Sequence, residues 1–167
     1  MGVEHTADRV IELDLGYVPE AAVSGPLLIQ DDGLAFLTFN AMRVRPDGRR
    51  EPAGTAIVEF QNCWCTRFGY PNDEALPGHP LYQRGLRAYG IFEVLNSSWI
   101  AQVEEQNRLT FPNSGSWGSR HFAFIFHDNM LECIADDLTL TVSQESFPQI
   151  LRAVSQRFIQ AEEHDGG

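Results

Sequence analysis

The chain has 167 residues, 43% of them hydrophobic and 21% charged. That composition describes one globular domain over residues 1–167, able to bury roughly 70% of the surface its unfolded chain exposes and in no need of a metal or disulfide staple. Twenty-three acidic against twelve basic residues give a formal charge of −11, a field that repels nucleic-acid backbones and anionic bilayers and excludes both as expected partners. Every basic residue is an arginine; without lysine there is no Schiff base, no pyridoxal-phosphate anchor, no phosphate-loop lysine and no Ser-Lys dyad.

The segment Met1 to Leu15 carries Glu4, Asp8 and Glu12 and lacks the basic region and continuous apolar stretch of a signal peptide. No apolar run reaches the roughly 18 residues that span a bilayer. Three cysteines are an odd number, a poor disulfide framework and a normal complement of reduced thiols. The expected compartment is the cytoplasm.

In chain order, Ile11, Leu13 and Leu15 alternate with Glu12 and Asp14 as in a half-buried strand. Residues 27–44 are apolar around a turn at Asp31-Asp32-Gly33, and beyond it Ala35, Leu37, Phe39 and Ala41 form the more apolar face. A turn at 45–50 leads to a strand over 55–64 with Ala56, Val58 and Phe60 on one side. Residues 66–87 show no periodicity. Gly69, Pro71, Pro77 and Pro80 break any regular element there, and Tyr70, Leu76, Leu81 and Tyr82 offer anchors, which predicts a long ordered loop.

A short strand over 89–95 then precedes a helix from Trp99 to Arg108 capped by Asn96-Ser97-Ser98, and a loop over 111–119 follows. Residues 121–136 read as a hairpin turning at Asp128-Asn129, with a further strand over 138–142. Ser146-Phe147-Pro148-Gln149 has capping-box spacing ahead of an apolar stripe of Ile150, Leu151, Val154, Phe158 and Ile159, a helix expected to end near Gln160. Residues 1–8 and 162–167 are expected to fray. Consecutive strands without regular crossover helices predict an α+β domain: a mostly antiparallel sheet with two helices packed on one face.

The hairpin carries the first chemical candidates. A turn at Asp128-Asn129 sets His127 opposite Met130, Ile125 opposite Glu132, Ala123 opposite Ile134 and His121 opposite Asp136 on one face, with Phe122, Phe124, Phe126, Leu131, Cys133 and Ala135 on the core face. The two histidines, six residues apart, lie roughly 20 Å from each other and cannot share an ion. His121 and Asp136 read as a structural cross-strand pair. His127 and Glu132 are diagonal neighbours at roughly 7–8 Å, within reach of a water-bridged acid/base couple.

The second candidate is the loop at 70–82. Tyr70, Asn72, Asp73, Glu74, His79 and Tyr82, held between prolines, could build a polar binding surface, since a rigid loop loses less entropy on binding. Cys63 and Cys65 share a side of a strand that Cys133 could approach, but one intervening residue is too few for a zinc knuckle, so buried thiols and no metal are expected. Arg43, Arg45, Arg49 and Arg50 interleave with Asp47 and Glu51 as a solvated hairpin tip does. The nucleophile elbow, the zincin helix motif, the dinucleotide glycine loop and the EF-hand loop are all missing, and no cofactor is implied.

Phe68-Gly69-Tyr70-Pro71-Asn72-Asp73-Glu74-Ala75-Leu76, Gly78-His79-Pro80-Leu81-Tyr82, Glu93-Val94 to Ile100, and His121 to Ala135 together resemble a family of uncharacterised, mostly bacterial proteins of similar length. The resemblance spans about 55–136; it implies a bacterial origin and an ordered loop at 68–82, and transfers no activity. The leading expectation is therefore a non-catalytic cytoplasmic domain that recognises a basic protein partner or a small polar ligand through the 70–82 loop, its acidity speeding encounter with a basic surface. The alternative is a small enzyme using His127 with Glu132, or His79 with Asp73, as acid and base. A third is a subunit whose sheet face is completed in a homodimer.

Overall fold

Alternation along the strands leaves apolar faces that must be covered. Leu34–Val44 (β4) turns Ala35, Leu37, Phe39 and Ala41 one way, and Arg50–Gln61 (β5) sets Ala56, Val58 and Phe60 beside them. Arg120–Ile125 (β8) and Met130–Ala135 (β9) do the same with Phe122, Phe124, Leu131 and Cys133. In the computed structural model, which describes residues 7–165, these two faces close on each other. Phe39 meets Phe126 at 5.5 Å and Phe60 meets Phe124 edge-on at 5.7 Å. The fold is α+β, with antiparallel pairing between the strands and two helices.

The expected single sheet is thus two. One sheet orders Arg9–Glu12 (β1), Ile91–Leu95 (β7), β8, β9 and Cys65–Gly69 (β6); the other orders Asp137–Ser143 (β10), β5, β4 and Tyr17–Pro19 (β2), with Leu27–Gln30 (β3) also paired to β4. Nor do the helices share a face. Phe147–Asp165 (α2) covers the outer side of the second sheet, where Ile150 and Val154 bury Phe36, while Ser98–Thr110 (α1) lies by the first sheet with Trp99 edge-on to His121 at 5.1 Å. The reason is that each sheet presents an apolar face carrying phenylalanines, and in sheet-on-sheet packing each of these faces covers the other.

The chain changes sheet twice at one corner. Asn62, at φ +49°, breaks the strand after β5 so that β6 can begin at Cys65, and Asp136 alone separates β9 from β10. The Asp136 carboxylate accepts from Asn62 Nδ2 at 2.8 Å and Ser119 Oγ at 3.1 Å, and its amide donates to Gln61. Asp136 is therefore a corner tie and not the partner of His121, which stands opposite Ile134.

Three further boundaries differ from expectation. β6 lies in the stretch read as irregular, because an edge strand exposed on its outer side shows no clean alternation. α2 runs past Gln160 to Asp165 through the helix formers Ala161, Glu162 and Glu163. Asp8, expected to fray, accepts from Ser98 N at 2.6 Å and Ser98 Oγ at 2.8 Å; residues 1–6, 166 and 167 lie outside the described residues.

Beyond β6 the 70–90 segment lies over the outer face of the first sheet. Leu76, Leu81 and Leu86 are buried there against Val10, Phe92, Val94 and Ile125. Tyr70, expected as an anchor, is 81% exposed. Close approach is secured by Gly85 at φ +121°, where an added Cβ would sit 2.8 Å from the Val10 carbonyl oxygen. Among the described residues no helix is long and apolar enough to cross a membrane.

Candidate functional site

The hairpin pairs Ile125 with Met130, Ala123 with Glu132 and His121 with Ile134, and Phe126 N donates to Asn129 O at 3.0 Å. The turn is therefore His127-Asp128, one residue earlier than expected. Moving the turn by one shifts every cross-strand partner by two and leaves the two faces as they were. The diagonal neighbour of Glu132 becomes His121, not His127.

Each histidine of the expected acid/base pairs takes the other's carboxylate. His127 Nδ1 bonds Asp73 Oδ2 at 2.9 Å, and Tyr89 Oη donates to the same oxygen. The Tyr89 bond, with that from His127, holds the Asp73 carboxyl below its usual range, and Asp73 in turn raises the pKa of both Tyr89 and His127. With Asp73 N donating to His127 O at 2.9 Å, this cluster ties the loop to the hairpin turn.

Glu132, 5% exposed, gathers the other two imidazoles. His121 Nε2 lies 3.0 Å from Oε1 and His79 Nε2 lies 3.5 Å from Oε2. Leu81 N donates to His79 Nδ1 at 3.2 Å, which fixes the His79 proton on Nε2, facing the carboxylate. His121 Nδ1 bonds Ser97 Oγ at 2.8 Å, and that oxygen also caps α1 by accepting from Ile100 N at 3.1 Å. Burial pushes the Glu132 carboxyl up, but the two histidines outweigh it and hold it at about 2.

This network forms the floor of a cavity of about 520 Å³ between the 70–82 loop, the first turn of α1 and strands β6 and β9. Arg67 lines its wall. In the β6–β9 ladder Arg67 stands directly opposite Glu132, the position from which an ion pair ordinarily forms. Instead the guanidinium lies over the Trp99 ring, 3.9 Å from its centroid, and makes no ion pair with any carboxylate among the described residues. Tyr70, Pro80 and Leu81 close the loop side, and Asp8 and Gln102 the helix side.

Of the loop residues singled out for binding, Tyr70 and His79 line this cavity. Asn72 is occupied capping Ala75 N at 3.0 Å, Asp73 is committed to Tyr89 and His127, Glu74 is exposed and its amide bonds Asp73, and Tyr82 lies under the Arg87 guanidinium at 4.7 Å. Arg67, Trp99 and Asp8 were not singled out by the sequence. Arg67 sits in the unread edge strand, Trp99 reads as an ordinary helix start, and Asp8 falls in the segment expected to fray.

Cys63 and Cys133 are buried together in the core between the sheets, and their hydrogen bond lowers the pKa of Cys63, while burial first, and then Cys63, raises that of Cys133. Cys65 is half-buried on β6, so the three do not converge, and all are free thiols. Among the described residues no group of three or more His, Cys, Asp or Glu side chains is arranged to hold a metal ion. No protein-family model matches the chain, and no curated protein or solved structure matches it.

Proposed function

We propose that the chain is a non-catalytic binding domain for a small polar ligand, taken into the cavity beside the 70–82 loop with an anionic group on Arg67. One observation carries the reading: a guanidinium in a cavity wall, positioned by stacking on Trp99 and free of any carboxylate among the described residues. Stacking orients a guanidinium while leaving its N–H edge free for a planar anion such as a carboxylate. A volume of about 520 Å³ suits a small molecule. The ionised, doubly contacted state of Glu132 favours binding over acid–base catalysis, since a general base needs an affinity for protons near the working pH. The proposed compartment is the cytoplasm, in keeping with three unpaired thiols.

The test is a calorimetric panel of short keto acids, hydroxy acids, dicarboxylic acids and amino acids against the native chain and Arg67→Met. At least one class is expected to bind, with affinity reduced tenfold or more in the variant. A panel with no binder, or binders indifferent to Arg67→Met, would overturn the reading.

A further inference from the structure

Two features of the cavity narrow the ligand beyond an anion. The first is charge. Glu132 and Asp8 line the cavity with Arg67, so a bare anion on the guanidinium meets two carboxylates nearby, and a ligand that also carries positive charge meets less repulsion. The second is register. Arg67 and Glu132 are direct cross-strand partners, with Cβ atoms about 5 Å apart in such a ladder. Each is nonetheless drawn away from the other: Arg67 by the Trp99 ring, Glu132 by His121 and His79. A cross-strand ion pair left open in this way has the charge pattern of a small zwitterion.

We infer that the ligand is a free α-amino acid, its carboxylate on the Arg67 guanidinium and its ammonium on Glu132. This deepens the anion-binding reading and rests on it. In an α-amino acid the carboxyl carbon and the amino nitrogen are two bonds apart, about 2.5 Å, short enough for both ends to be met by side chains rising from adjacent positions of neighbouring strands. A carboxylate offers about four lone-pair sites, and the two imidazoles take one each, so Glu132 keeps acceptor capacity for an ammonium. Met130, Leu81 and Pro80 supply an apolar wall for a side chain. Because the Leu81 amide holds the His79 proton on Nε2, His79 is a donor to one oxygen of Glu132, and an ammonium would take lone pairs that the two imidazoles leave over.

The experiment compares matched probes by isothermal calorimetry on the full chain: the twenty L-amino acids, then the tightest of them with its N-acetyl derivative, which keeps only the anion, and its amide, which keeps only the cation. The free amino acid is expected to bind at least tenfold more tightly than either blocked form. Glu132→Gln is expected to weaken the free amino acid tenfold while binding the N-acetyl form no more weakly than the native chain does, since one repelling carboxylate is gone, and Arg67→Met to weaken both; melting curves report whether the variants fold, and the blocked probes need no variant. Equal binding of the free and N-acetyl forms, both lost in Arg67→Met, would overturn the zwitterion while sparing the anion site. Absence of binding by all twenty amino acids, with keto acids or dicarboxylic acids bound through Arg67, would do the same; no Arg67-dependent binding at all would remove both readings.

Discussion

Glu132 is where the chemistry of single residues weighs most. Its carboxyl ordinarily titrates near 4.5 and is held at about 2 in the folded chain, so its ionised form stabilises the fold above about pH 4.5. That contribution, on the order of 3 kcal/mol, is lost as the pH falls through the interval down to about 2. Urea titrations at a series of pH values are expected to show the native chain losing stability across this interval more steeply than Glu132→Gln, and equal slopes would disprove the assignment. The face on which His121 and Glu132 lie was legible from alternation alone, because side-chain direction along a strand has period two. Their partners were not, because a one-residue change in turn position moves each cross-strand partner by two and exchanges His127 for His121.

Among the elements, β5 is held between β4 and β10 and carries the irregularity that lets it fit. The β4–β5 register shifts between Ala41 and Met42, and Gly54 opposite Ala41 adopts φ +107°. A Cβ at this position would lie 2.5 Å from the Ser143 carbonyl oxygen on β10. Gly54→Ala is therefore expected to cost about 2 kcal/mol or more, both from the left-handed backbone and from that collision. Urea denaturation should show a lower midpoint at unchanged slope, and an unshifted midpoint would refute the account. β4, β5 and α2 could be read from the chain because each buries one continuous apolar face. By contrast β6 could not: Thr66, Arg67 and Phe68 belong to a strand whose one partner among the described residues, β9, lies more than sixty residues further along the chain.

For the molecule as a whole, stability rests on the contact between the sheets. Phe124 is fully buried there, edge-on to both Phe60 and Phe39. Phe124→Ala is expected to cost about 3–5 kcal/mol, a large share of the roughly 5–15 kcal/mol that a domain possesses. Thermal and urea unfolding would measure it, and a loss below 1 kcal/mol would contradict the packing described. The same contact fixes the outer face of the first sheet, so the cavity stands on a rigid floor with the 70–82 loop pinned to it by Leu76 and Leu81.

From the sequence alone followed the antiparallel α+β class, the apolar faces of β4, β5, β8 and β9, the two helices and the ordered loop, since each depends on neighbours within a few residues and on the fixed periods of strand and helix. Only the tertiary structure decided that there are two sheets, that Arg67 faces Glu132, and that Trp99 and Asp8 reach the same cavity. Those relations join segments tens of residues apart, and burial between the sheets, which no local pattern records, brings them together.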